Sequence, residues 1–333
     1  MLRNKKPNLR RSLIVLSMIL ALGGAWLAIS CAQTKMVEQT RARRTQTDER
    51  GGAPSNANAG SNNNQMNLEK REERTPVSFY AALEDALKER GMRLEEICDR
   101  RDPVSRRILE DYGAVYVASS SILPPPVCIF KSEAEVDRFQ TEARFKTAVI
   151  GGARIELQPA AMDALQAARE EARREGLDIT PRGGTEAARR SYQDTARLWN
   201  TRFLPALGYW MQRGRLTKEQ VARLKSLSIA DQVREVLELE KQGIYFSKDF
   251  SKSILYSIAA PGTSQHIMML ALDVEQFMDA RVRRILARHG WFQTVKSDLP
   301  HFTYLGLDEA ELPSRGLRQV KSGSQLFWIP NVE

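Results

Sequence analysis

The chain has 333 residues, room for one large or two ordinary domains; 42% are hydrophobic and 27% charged, which excludes a wholly disordered chain, a collagen and a polytopic membrane protein. Three cysteines exclude a cysteine-dense scaffold and a four-cysteine zinc site, and three histidines leave little room for a histidine-rich metal cage. The net charge is +9, but Arg3, Lys5, Lys6, Arg10 and Arg11 supply five of those charges, and the remaining +4 makes no case for nucleic acid as a partner.

The five basic residues precede an uncharged run from Leu13 to Cys31, the layout of a bacterial export signal. Its basic side is expected to stay cytoplasmic. Ala28-Ile29-Ser30-Cys31 resembles a lipobox, with Ala where Leu is usual, so a lipid-anchored form is one expectation. The run of about 19–21 residues is also long enough to span a bilayer uncut, and a cleaved soluble form is a third possibility. All three place the rest of the chain outside the cytoplasmic membrane. Residues 1–32 are thus read as signal or anchor, and 33–75 as a linker. GGAPSNANAGSNNNQMN, residues 51–67, is small and polar and cannot bury a core.

Residues 76–333 are expected to fold, with 76–157 as an N-terminal α/β extension and 158–333 as the core. Helices are predicted over Phe79–Arg90, Val104–Tyr112 and Glu133–Ala143, with strands over Ala114–Ala118 and Val127–Phe130. Cys98 and Cys128 both fall here; in an oxidising compartment they pair, and otherwise they are two buried thiols. Thr147–Ile150 and Arg154–Leu157 flank Gly151-Gly152, which predicts a hairpin with a two-residue turn. Helices follow over Pro159–Gly176, Ser191–Leu204, Thr217–Ser226, Ile229–Gln242 and Glu275–His289. Met268–Val274, Trp291–Val295 and Phe302–Leu305 are short apolar runs bounded by turn residues and are read as strands. The mixture predicts an α+β fold with a small, mostly antiparallel sheet flanked by helices.

Three local features carry chemistry. His266 and Asp273 are both possible zinc ligands, but seven residues span about 10 Å of helix or over roughly 20 Å of strand, so the chain must bend between them. Pro261-Gly262 marks a loop that can do this; the bland reading is a polar loop running into a core strand. His301 at a strand start is a possible third ligand, with Asp298 three residues earlier as a possible base. Arg190 opens a helix and can clamp a carboxylate, or simply face solvent. His289, before Gly290 at a helix end, reads as structural.

Together these features resemble the zinc D-alanyl-D-alanine carboxypeptidases of the VanY type, within the LAS metallopeptidase group. That family shows P-G-x-S-x-H-x-x-G-x-A-x-D; this chain has Pro261, Gly262, Ser264, His266, Ala271 and Asp273 at those places. The family's later E-P-W-H-x-x-Y-x-G is met by Asp298, His301, Tyr304 and Gly306, after Gly290-Trp291-Phe292. Its upstream R-S-Y motif is met by Arg190, Ser191 and Tyr192, with Leu198, Trp199 and Asn200 in frame. The blocks span residues 190–306 in the family's order. The resemblance implies a LAS metallopeptidase-like fold, Zn2+ held by His266, Asp273 and His301, and a fourth position for water. It implies Asp298 as the catalytic base and proton shuttle, Arg190 in catalysis and substrate recognition, and Ser264 in substrate binding. The implied reaction is hydrolysis of peptidoglycan stem peptides, next to D-alanine. The chain departs from the family at Met269 (Gly), Asp298 (Glu), Pro300 (Trp), Thr195 (Gln) and Ala187 (often Ser). Arg182 is a second candidate for the carboxylate clamp. A catalytically impaired homologue that binds cell-wall peptide, or a structural envelope lipoprotein, are the alternatives.

Overall fold

A computed structural model describes residues 77–333. The expected signal or anchor (1–32) and linker (33–75) lie outside the described residues. The fold is α+β, with small antiparallel sheets flanked by helices.

Helix α1 (Phe79–Glu89) starts where the Ser78 side chain accepts from Ala81 N, and it buries Phe79, Ala82, Leu83, Ala86 and Leu87 along one face. A single turn, α2 (Leu94–Ile97), leads to α3 (Pro103–Tyr112), which is capped by Asp102 and has Pro103 in its first turn. The next segment corrects the sequence reading: Gly113–Val117 is a 3-10 turn, not a strand. Among the described residues no strand pairs with it. Its carbonyls are met instead by Arg90, which donates to Tyr116 O (2.8 Å), Ala118 O (2.7 Å) and Ser119 O (2.8 Å). Val127–Phe130 is likewise no strand. Its backbone makes two separate bonds, Cys128 N to Ile97 O and Phe130 N to Gly262 O, and a disulfide joins Cys98 to Cys128.

After α4 (Glu133–Ala143) comes the expected hairpin, β1 (Lys146–Ile150) and β2 (Ala153–Leu157). Gly151 and Gly152 close it at φ 58° and 81°, a turn that asks for positive φ at both positions. Helix α5 (Pro159–Arg174) follows, and α6 (Tyr192–Gln212) opens on a Ser191/Asp194 capping box. The sequence places the end of α6 at Leu204, before Pro205. The helix runs on, because Trp199, Phe203, Ala206, Leu207 and Trp210 keep its buried face continuous through the proline. Helices α7 (Lys218–Ser226) and α8 (Ile229–Lys241) pack beside it.

Of the three expected C-terminal strands, β3 (Ala271–Asp273) and β4 (Trp291–Phe292) are shorter than predicted, and β5 (His301–Tyr304) begins one residue earlier; the order is β3-β5-β4. Between β3 and β4, α9 covers Ala280–Arg288 only, since Asp279 caps it. A hairpin absent from the sequence reading, β6 (Leu317–Ser322) and β7 (Gln325–Pro330), ends the chain around a Gly323-Ser324 turn. It is tied back to the start of α1 by Phe79 N donating to Asn331 O at 2.8 Å.

Two buried clusters result. One gathers α1, α5, α9 and the three-stranded sheet; the other gathers α6, α7, α8 and the loop 254–260, with Val104, Ile108 and Tyr112 of α3. The chemistry-bearing residues lie where these clusters meet.

Candidate metal centre

The bend required between His266 and Asp273 is present. From Ser264 to Met269 the chain makes successive tight turns: Ile267 N donates to Ser264 O, Met268 N to Gln265 O and Met269 N to His266 O. Met269 then takes φ 54°, a left-handed conformation that reverses the chain into β3. A side chain there costs about 1–2 kcal/mol, and this is the position where the resembled family carries Gly. Met269 is fully buried, however, and truncating a buried Met costs about 2–5 kcal/mol. Packing outweighs strain, so Met269→Gly is expected to destabilise by roughly 2 kcal/mol. Denaturant unfolding checks the sign. The loop is also held by Gln158, whose backbone N donates to Met269 O (3.0 Å) and whose side chain donates to Met268 O (2.9 Å).

Asp273 and His301 are direct partners in the β3–β5 ladder, so their side chains share one face. His266 folds over that face. His266 Nε2 lies 3.1 Å from His301 Nδ1, and each lies 3.4 Å from Asp273 Oδ1. Four-coordinate zinc with bonds of about 2.0–2.1 Å needs donor atoms about 3.3–3.4 Å apart.

Both imidazole tautomers are set by neighbours that only accept. His266 Nδ1 faces Ala188 O at 2.8 Å, so the proton is on Nδ1 and Nε2 carries a lone pair. His301 Nε2 faces Gln265 Oε1 at 2.8 Å, so its Nδ1 carries the lone pair. The Gln265 amide cannot be reversed: its Nε2 donates to Tyr112 O at 2.9 Å, and Thr303 Oγ1 donates to its Oε1 at 2.5 Å. Asp273 Oδ1 is buried with no hydrogen-bond partner, while Oδ2 accepts from Arg190 Nη2 at 2.8 Å. Three electron pairs therefore meet with no proton among them. A dication answers that arrangement and the residues fit one; among the described residues they are the group that can hold a metal.

Electrostatics keep the donors ready. Burial, and then the charge of Arg190, push His266 down to about 4 against the pull of Asp273. Burial works to raise the Asp273 carboxyl, but at acid pH the attraction of the imidazoles, once they are protonated, holds it well below the usual carboxylate range. An unfolded-chain histidine takes its proton near 6.5, before folded His266 does. In the metal-free protein, stability is therefore complete above pH 6.5 and is lost as pH falls towards 4, by roughly 3 kcal/mol. Denaturant midpoints measured across that range in chelator check this.

His266 and His301 open onto a cavity of about 270 Å³, also lined by Arg190, Ser264, Asp298 and Tyr256. Asp298 sits at its exposed rim, in the turn closed by His301 N donating to Asp298 O at 3.3 Å. Protein crowded around its carboxyl raises its pKa, His301 and Arg190 oppose the rise, and Asp273 adds to it. Arg190 is committed to Asp273 Oδ2 and to Glu186 O, so it orients the Asp273 carboxylate as well as lining the cavity. Arg182, the second candidate clamp, is paired with Glu275 at 3.0 Å and does not line the cavity. His289 ends α9 and bonds Glu171 Oε2 at 2.7 Å.

The sequence reading passes over Gln265, the most connected side chain of the site, because it lies between two motif positions. It also gives no role to Thr195, whose hydroxyl accepts from Gly262 N at 3.2 Å and anchors the loop that carries His266.

No protein-family model matches the chain, and no curated protein matches it. Among solved structures it is similar to the vancomycin-resistance D,D-pentapeptidase VanY of a VanB-type resistance cassette, a mutant in complex with Zn(II). The likeness covers 53% of this chain and 85% of that one, at 15% identity and a TM-score of 0.28.

Proposed function

We propose that the protein is a zinc peptidase that hydrolyses peptidoglycan stem peptides, with D-alanyl-D-alanine carboxypeptidase-like chemistry, on the outer side of the cytoplasmic membrane. The observation that carries the reading is the convergence of His266 Nε2, His301 Nδ1 and Asp273 Oδ1, unprotonated, beside a cavity that the two histidines line. The ordered motifs from Arg190 to Gly306 and the export-like N-terminus support the substrate class.

His266, Asp273 and His301 would hold a zinc ion. When bound, zinc supplies Lewis acidity, polarising a carbonyl and acidifying water. The Asp298 carboxylate takes the proton from the attacking water and returns it to the leaving amine nitrogen. Ser264 and Arg190 orient the peptide at the cavity wall.

The test is zinc content and stem-peptide hydrolysis by the full-length protein. One zinc per chain with release of D-alanine supports the reading; no zinc after supply at neutral pH sinks it. Asp298→Ala is expected to keep the zinc and lose about 10²–10⁴-fold in kcat, the usual contribution of a positioned base. Steady-state kinetics beside elemental analysis read both quantities. An active wild type with an equally active Asp298→Ala removes Asp298 from the mechanism.

A further inference from the structure

The metal cavity does not end at the donor triad. A second cavity of about 240 Å³ abuts it, and Tyr112, Leu255, Tyr256, Val295 and Ser297 line both. Each alone is smaller than the roughly 300–1,000 Å³ of ordinary ligand sites, whereas the two joined fall within that range. The outer wall of the second chamber comes from α3, through Arg107, Glu110 and Asp111. Residues 295–298 run along the seam, with Asp298 lining the metal chamber and Lys296 the second one. Tyr256 stands where the chambers meet and is 52% exposed, a flat face available to a peptide.

The charges in the second chamber are unevenly answered. Arg107 Nε donates to Asp111 Oδ2 at 2.6 Å, and Glu110 accepts from the Tyr80 hydroxyl at 2.9 Å. Lys296 has no hydrogen-bond or ion-pair partner among the described residues. Its ammonium is the cation of this lining left open to a ligand; Glu110, bonded only to a neutral hydroxyl, is the lining's uncompensated anion.

We propose that the second chamber is a subsite for the part of a peptide substrate that extends away from the scissile bond, and that Lys296 pairs there with a carboxylate of that part. The inference rests on the reading of the metal site as a peptidase centre. It makes α3, which lies outside the motif-bearing region, a wall of the substrate cleft.

Three blocked peptides test it with the full-length protein. One is short and ends in D-alanyl-D-alanine. The second is lengthened by several residues that include one side-chain carboxylate, and the third is the lengthened peptide with that carboxylate amidated. Binding is read by displacement of a fluorescein-labelled lengthened peptide, which needs no turnover, and hydrolysis is followed in parallel. The lengthened acid is expected to bind about fivefold tighter than its amide, the upper size of one partly exposed ion pair. Lys296→Ala is expected to erase that difference and leave the short peptide unchanged; Lys296→Glu is expected to reverse it. Equal binding of acid and amide by the wild type overturns the proposal. So does a Lys296→Ala variant that weakens all three peptides alike, or a lengthened peptide that does not bind. Charge-dependent binding without hydrolysis of any peptide leaves the subsite standing and fails the peptidase reading. Hydrolysis indifferent to length and charge does the opposite.

Discussion

Alanine at His301 is expected to empty the metal centre and end hydrolysis while leaving the fold intact. His301 supplies one of three donor atoms, and its Nδ1 lies 3.1 Å and 3.4 Å from the other two. Zinc held by a few protein ligands is worth roughly 10–16 kcal/mol in favourable cases, so losing one donor of three costs on the order of 3–5 kcal/mol. That is about a 10²–10⁴-fold loss of affinity, enough to strip zinc during purification. The same substitution separates a metal site from an ordinary buried histidine. His301 is buried and bonded to Gln265, and a core histidine removed by alanine destabilises the protein. Here the metal-free wild type already confines three electron pairs with no proton among them, so removing one relieves repulsion. In chelator, His301→Ala is therefore expected to unfold at a temperature close to that of wild type, while in zinc the wild type alone is raised. A large loss of stability in chelator would count against the metal reading.

Gly262→Ala should have the largest effect on folding. Gly262 has φ +80°, and a Cβ built there lies 1.9 Å from Phe130 O. The obstacle is backbone, locked in place by Phe130 N donating to Gly262 O at 2.9 Å. Neither chain can yield without breaking that bond, and the disulfide at Cys128 restrains the Phe130 side. A loss of more than about 3 kcal/mol is expected, from combined strain, clash and a broken hydrogen bond. Gly91→Ala is the control: Gly91 has φ +69° but open space around it, so only the left-handed penalty of about 1–2 kcal/mol applies. Equilibrium unfolding of the two variants compares clash with φ strain directly. Because Gly262 lies four residues before His266, the variant should also bind zinc poorly even where it folds.

The three residues that could hold a metal were readable in the sequence because the motif places them within local segments: His266 after Pro261-Gly262, Asp273 at the end of an apolar run, His301 at the start of another. Capping residues and turn glycines likewise made α1, α4, α5, α7, α8 and the Gly151-Gly152 hairpin legible, since each depends on neighbours a few positions away. The failures have a common cause. Ala114–Ala118 has strand-like composition, yet its carbonyls are taken by Arg90, a long-range partner that no local pattern announces. Pro205 looks like a helix end, but a continuous buried face carries α6 through it.

The sequence by itself determined which residue types are available for metal chemistry, their order, and the need for a bend between His266 and Asp273. Tertiary structure alone decided that Asp273 pairs with His301 across two antiparallel strands, and that Met269 takes the left-handed turn a glycine would otherwise occupy. It also decided that Gln265 and Ala188 set the two tautomers, and that Arg190 is drawn onto Asp273. The physical reason is range. Caps, turns and periodicity act over a few residues of chain, whereas the protonation and orientation of a ligand depend on whichever groups packing brings within about 3 Å of it, regardless of their separation in sequence.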